Sequence, residues 1–417
     1  MMPAPADARM TPPNRRRFAV IALLFVTYLL TYLDRAVIAT AIPFIAEEFQ
    51  LSSVEAGSVL SAFFFGYALM QIPSGILADK LGPGRLLVGA VLCWSVFTAM
   101  TGLVGSLAML IVARILFGIS EGPAPAAVSK AVALWSPRSQ VGRSNGFVLS
   151  GTLIGSAVAP AFVAAIVLHW GWRAAFLSLL VPGFLLALAI YRWLWSPPSS
   201  SASEGEAACT IGTSGSPTWK AIFASAQMRW CFVAVFLGGC ANWGLQNWLP
   251  TYLLKARGFS IAEMGLFASM PFAAGALGYL LGGYAGDRFF AGRRHILILL
   301  CLLSAAIGTY GAAVAASGMV SVAFVTAAFL MIGMALSSLF TLPLLLVPMQ
   351  MTGTAFGVVN TGAQIAGFVS PMLIGAVLDA SRQDFAIALY LVVGMLLTGG
   401  IAASRIGPER PRADINP

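Results

Sequence analysis

The chain has 417 residues, of which 59% are hydrophobic and only 9% charged, with 43 glycines and a formal net charge of +9. A soluble domain carries roughly 25% charged residues, so the composition excludes a soluble globular protein and points to a polytopic membrane protein. The basic balance would suit a nucleic acid, but its placement argues against one. Most Lys and Arg fall on one side of the expected membrane, beginning with Arg9, Arg15, Arg16 and Arg17. Arg173, Lys255, Arg257 and Arg382 fall on the other side, while Arg35, Arg114 and Lys130 lie within apolar segments. That asymmetry is the positive-inside bias, and it predicts a multi-pass protein of the cell inner membrane with both termini cytoplasmic.

Apolar segments fall at roughly 18–43, 55–78, 84–105, 107–134, 144–168 and 172–195, then at roughly 228–254, 262–286, 294–316, 319–347, 354–378 and 383–404. The fold class expected is an all-α membrane protein with twelve transmembrane helices in two six-helix bundles. The first bundle spans 18–196 and the second 228–404, with cytoplasmic tails at 1–17 and 405–417. Between them, 197–227 contains a Ser-, Gly- and Pro-rich run that cannot build a core and reads as a cytoplasmic linker. The basic start followed by an apolar run resembles a signal peptide, but Asp34 and Arg35 interrupt it, so the first segment is expected to stay as a helix. Of the five cysteines, four (Cys93, Cys231, Cys240 and Cys301) lie in apolar runs and none has metal-ligand spacing. With only His169 and His295 beside them, no metal site and no cofactor is expected, and no nucleophile–base pair supports an enzyme.

The two halves repeat. Gly75-x-x-x-Asp79-Lys80 ends the second segment and Gly283-x-x-x-Asp287-Arg288 ends the eighth, each followed by glycine and basic residues. Gly146, Gly151 and Pro160 likewise recur as Gly357, Gly362 and Pro371, at close to the same spacing of half the chain. Two such matches indicate duplication into parallel repeats. Asp79, Asp287 and Arg288 are therefore read as gating residues, charge pairs at helix ends that hold the halves together on one side. Lys80 and Arg294 are read as solvated.

Within the first segment, Asp34 and Arg35 stand side by side at a depth where a charge costs at least about 2.5–3.5 kcal/mol and marks a pathway. In the fourth segment Arg114, Gly118 and Glu121 share one helix face, Arg114 and Glu121 being about 10 Å apart along the axis. Each could pair with the other or with Asp34 or Arg35. A buried carboxylate whose arginine partner comes and goes can switch protonation, the requirement for coupling protons to a carried anion. Two such acids set an upper bound of two protons. Tyr67, Asn242 with Gln246, and Asn360 with Gln364 add polar groups at mid-membrane depth, where an interhelical hydrogen bond is the plain alternative. Trp243, Phe340 and Phe63-Phe64-Phe65 read as lipid-facing or core.

These motifs together resemble the major facilitator superfamily, and within it the anion:cation symporter family with its hexuronate and galactonate carriers. The family-level signals are Tyr32-x-Asp34-Arg35, Ser61 to Tyr67 leading into Gln71-Ile72-Pro73-x-Gly75, and Arg114 with Gly118-x-x-Glu121-x-Pro123. Trp248-Leu249-Pro250-x-Tyr252 and Asn360-Thr361-Gly362 with Gly367 and Pro371 add to them. The resemblance implies proton-coupled import of a small carboxylate, such as a sugar acid, by a monomer in the lipid bilayer. It implies proton binding at Asp34 and Glu121, with Arg114 modulating Glu121. It also implies substrate contacts from Arg35, Tyr32, Tyr67 and Asn360, and a looser match adds Ser337 and Phe340. Where a galactonate carrier has glutamine, this chain has Gly151, in a Ser150-Gly151-Thr152 stretch closer to hexuronate carriers. The rivals are an exporter or anion exchanger on the same fold, and a membrane anion sensor, for which the tail from Arg405 is short.

Overall fold

In a computed structural model of the chain, residues 14–137, 140–195, 219–347 and 351–409 are described. Most of the expected linker and tails lies outside them. The elements are helices: α1 Asn14–Glu48, α2 Ser53–Leu81, α3 Pro83–Thr101, α4 Leu107–Glu121, α5 Ala124–Trp135, α6 Val141–Ser178 and α7 Leu180–Leu194 in the first half. The second half holds α8 Trp219–Ala224, α9 Ala226–Thr251, α10 Ile261–Arg288, α11 Arg294–Val314, α12 Gly318–Leu346, α13 Thr352–Ala380 and α14 Phe385–Ser404.

Ten helical spans among the described residues are long and apolar enough to cross a membrane. The longest, Arg143–Leu194, has 52 residues. It would run to about 78 Å unbroken, more than twice a hydrocarbon core of about 30 Å. It is broken at Gly171, whose φ of 79° and ψ of 169° only glycine adopts readily. Dividing it there gives two lengths suited to a bilayer, and the 26-residue α9, whose apolar run Asn242, Gln246 and Asn247 interrupt, is long enough to cross but is not among the ten. Large apolar side chains such as Leu188, Leu280 and Ile307 are exposed around the outside, where lipid rather than water suits them.

The duplication extends beyond the glycine motifs. α2 and α10 each open on a capping box, Ser52 with Glu55 and Ser260 with Glu263, which satisfies N-terminal amides that have no helical partner. The two halves meet along α2 with α13, α6 with α10, and α1 with α9. The seam is tight on the face opposite the chain ends. There a Cβ on Gly57 would lie 2.5 Å from the carbonyl oxygen of Pro371, and one on Gly265 would lie 3.0 Å from that of Pro160. At mid-depth Phe64 packs edge-on against Trp243, centroids 4.7 Å apart. Towards the face bearing the chain ends the seam parts: a Cβ on Gly75, Gly146 or Gly357 would meet nothing within 4 Å. The halves are thus joined on the far face and at mid-depth, and the terminal face is the looser of the two.

Candidate functional site

The site starts from glycines that let α2 and α4 touch backbone to backbone. A Cβ on Gly118 would run into the Phe63 carbonyl and lie 2.8 Å from the Tyr67 nitrogen, and one on Gly66 would meet Ile115 and Ile119 of α4. Close approach of this kind is how helices pack where lipid supplies no hydrophobic drive. It sets Phe63 and Tyr67 directly beside the polar face of α4. Gly118→Val should therefore force α2 from α4, lower thermal stability by about 1–3 kcal/mol as overpacking does, and abolish transport. Gly89→Ala, where a Cβ would meet nothing within 4 Å, should be tolerated. Thermal unfolding in detergent with uptake assays checks both.

Glu121 is the last residue of α4, and Pro123 and Pro125 follow it. Neither proline can donate to the carbonyl four residues back, so the helix is interrupted where its carboxylate lies. Glu121 is 1% exposed. Its partner is Arg35 of α1: Nε donates to Oε1 over 2.5 Å, and a terminal nitrogen reaches the same oxygen. Three rings surround the Arg35 guanidinium, Tyr67 at 4.7 Å, Phe63 at 4.8 Å and Tyr32 at 5.0 Å, each near enough for cation–π attraction. Arg114 is also buried, its guanidinium 4.6 Å from the Phe117 ring and 5.6 Å from Phe63.

Sequence spacing left open whether Glu121 pairs with Arg114 or across the bundle. The cross-bundle pairing with Arg35 is the one formed, because two turns of α4 separate the first pair. Arg114 stays within electrostatic reach of both Glu121 and Asp34. Buried polar atoms without hydrogen-bond partners gather here: Asp34 Oδ1, Glu121 Oε2, and Nε and Nη1 of Arg114. Leaving such atoms unpaired costs about 1–3 kcal/mol each, more for charged groups. Their concentration in one place sets this cluster apart from the apolar packing around it.

Other expected residues take different places. Asn242 and Gln246 bond each other, Nε2 to Oδ1 at 3.0 Å. Asn360 and Gln364 are half-buried on α13, between Gly357 at the looser end and Gly367, which packs on Phe64. Phe340 is half-buried beside Phe356 at 6.0 Å, and Ser337 stands next to Gly283. Gly151 faces α1, where a Cβ would run into the carbonyl of Phe25. The position filled by glutamine in a galactonate carrier thus has no room for a side chain in this packing.

At the looser face, Asp79 pairs with Lys130 at 2.7 Å. Asp287 pairs with Arg294, which also meets Glu409 at 3.1 Å. Each pair lies within one half, and Arg288 is exposed. Arg294 is thus not the solvated residue expected: it is buried, because the chain after α14 folds back and Glu409 closes on it. Phe63 is core, one of the two places expected for the run of three phenylalanines, and what the sequence did not show is that its ring also lies against the guanidinium groups of Arg35 and Arg114.

A two-bundle helical protein with a charged cluster buried among the helices of one bundle, its halves packed against each other, has the architecture of a membrane transporter. The chain belongs to the Major Facilitator Superfamily, whose family model matches residues 24–371. It is 32% identical to a probable sulfoacetate transporter of Cupriavidus necator, over 94% of this chain and 93% of that one. It is 30% identical to a probable L-galactonate transporter of Escherichia coli, over 96% and 92%. With a hexuronate transporter of Bacillus subtilis it shares 27% identity over 94% and 95%. Among solved structures, a bacterial homologue of the human lysosomal transporter Spinster, in an inward-facing and occupied conformation, superposes with a TM-score of 0.82 at 20% identity, covering 95% of this chain and 97% of that one. A D-xylose–proton symporter gives 0.75 at 16%, covering 94% and 98%. The chain is thus a multi-pass membrane transporter and not an enzyme.

Proposed function

We propose that the protein imports a small organic anion, a carboxylate or sulfonate on a polar body, together with protons. The observation that carries this reading is the buried Arg35–Glu121 ion pair. Asp34 and Glu121 supply two negative charges and Arg35 and Arg114 two positive ones, so the cluster is balanced when all are ionised. An anion entering it adds an uncompensated charge. A proton on Glu121 removes one negative charge and at the same time releases the planar fork of Arg35, which can then grip a carboxylate or sulfonate in bidentate fashion. Proton and anion thereby favour each other's binding. Asp34 is the second proton carrier, and Arg114 is a fixed positive charge acting on both acids.

Tyr32 and Tyr67, which flank Arg35, line the substrate with Asn360, Gln364, Ser337, Phe340, Asn242 and Gln246 from the other half. Both termini are cytoplasmic in the inner membrane, so the looser face points inward. Asp79, Asp287 and Arg288 act as gating residues that rearrange when that face closes, with Lys130 and Arg294 as the partners of the two acids in the state seen here. The charged cluster is complete within one chain, which suits a monomer, and protons are the only coupling agent. The names of the three relatives support a substrate among small acids of this kind.

The test is uptake into proteoliposomes holding the purified protein, with an imposed inward proton gradient and a panel of sulfoacetate, hexuronates, aldonates and aldarates. At least one anion should accumulate, and dissipating the gradient should stop it. Uptake of none, or accumulation indifferent to the gradient, would contradict the proposal.

A further inference from the structure

We propose that Asp379 and Gln383 form a latch on the outer face that holds the two halves in the state seen here. Its release is the step that opens the charged cluster to the outside. Naming that face as the outer one rests on the orientation proposed above.

The first amides of any helix lack an intrahelical partner. In α2 the amide of Glu55 is met by its own N-cap, Ser52. The amides before it are met from the other half of the molecule. Ser53 N–H donates to Asp379 Oδ1 and Val54 N–H donates to Oδ2, both at 2.9 Å. A carboxylate set this way on a helix N-terminus gains from both charge-assisted hydrogen bonds and the helix dipole. Gln383 closes the arrangement, its Nε2 donating to Ser53 Oγ at 2.7 Å and to Asp379 Oδ1 at 3.2 Å.

The turn that delivers Gln383 is strained. Arg382 and Gln383 have φ of 56° and 69°, successive left-handed positions without glycine. Such geometry persists where the surroundings over-determine it, and it gathers at switches and clamps. The Gln383 amide fixes the turn by donating to Leu378 O at 2.7 Å. Beside the latch, a Cβ on Gly375 would lie 2.8 Å from the Ser53 carbonyl carbon, so α2 and α13 are in backbone contact. That seam is one of the helix pairs that join the halves, beside α6 with α10 and α1 with α9. Parting it strips two amides and a carboxylate of their partners together.

A cap that merely stabilises a helix would lower stability without favouring either state, whereas a latch shifts the balance between states. The two are separated by double electron–electron resonance on the full chain in lipid nanodiscs, with Cys93 and Cys209 replaced by serine and spin labels on Glu47→Cys and Ala262→Cys, exposed positions on this face in opposite halves. Asp379→Asn, which retains one acceptor and loses the charge, should raise the ratio of wide to narrow separations about tenfold, as for loss of a charged hydrogen bond. Gln383→Gly removes the side-chain amide, keeps the backbone N–H and suits the left-handed backbone, and should shift the ratio the same way by less. Asp384→Ala removes a cap confined to the second half, Oδ1 to the Ala386 amide at 2.8 Å, and should lower the melting temperature without moving the ratio.

Distributions for Asp379→Asn and Gln383→Gly that superpose on the parent would overturn the latch, as would an equal shift from Asp384→Ala. If Asp379→Asn does not fold, Gln383→Gly decides. The readout needs no substrate, so a shifted ratio with no anion transported would remove the substrate reading and leave the latch standing.

Discussion

Arg35→Lys is expected to weaken substrate binding on the order of a hundredfold while the protein still folds and inserts. Lysine keeps the charge but loses the planar fork, and bidentate recognition of a carboxylate or sulfonate depends on that fork. A charge-assisted hydrogen bond contributes about 1.5–3 kcal/mol, and each 1.4 kcal/mol is tenfold in affinity. The flat guanidinium also suits the surrounding rings of Tyr32, Phe63 and Tyr67 better than an ammonium would. Binding measured by calorimetry on the detergent-solubilised protein, with the best anion from the uptake panel, checks this. Parental affinity in Arg35→Lys would move the anion clamp elsewhere.

Glu121→Gln should separate transport from its driving force. Glutamine resembles the protonated acid, so Arg35 is permanently available and the variant should bind and exchange anion across the membrane at near-parental rates. Accumulation should vanish to the extent that Glu121 carries the coupled proton. For each coupled proton, one unit of pH difference supports about tenfold accumulation, since tenfold corresponds to 1.4 kcal/mol. Counterflow of labelled anion, compared with pH-driven uptake in the same vesicles, distinguishes the two outcomes. Undiminished accumulation in Glu121→Gln would remove Glu121 from the proton path.

The sequence made most of the architecture legible because the bilayer imposes length and polarity on every crossing. The apolar runs, the repeated Gly-x-x-x-Asp motif and the polar positions on α1 and α4 could be read without coordinates. Side-chain partnership could not. Whether Glu121 meets Arg114 or Arg35 depends on how α1 lies against α4, and the backbone contact of α2 with α4 at Gly66 and Gly118, which seats Phe63 and Tyr67 beside that polar face, is likewise a packing outcome that residue spacing does not display. Phe63 carried no signal, since a phenylalanine under two guanidinium groups has the same letter as one facing lipid. Arg294 was misread because its partner Glu409 lies beyond the last helix, where nothing in the pattern says that the chain folds back. Asp379 and Gln383 were invisible for a similar reason: their partners are backbone amides of the other half, which no sequence motif displays.

The central claim is that a proton on Glu121 releases Arg35 for the anion. Linkage makes it measurable without a membrane, because a group that must be protonated for binding takes up its proton when ligand is added, and affinity rises as pH falls. The measurement is proton uptake by the solubilised protein in weakly buffered solution with a pH indicator, titrated with a transported anion, beside the anion's dissociation constant at several pH values. The account predicts net uptake on binding over the range where Glu121 is ionised, a dissociation constant falling up to about tenfold per unit decrease in pH, and loss of the Glu121-linked part of both effects in Glu121→Gln. Saturable binding with no proton taken up and a dissociation constant independent of pH would contradict it.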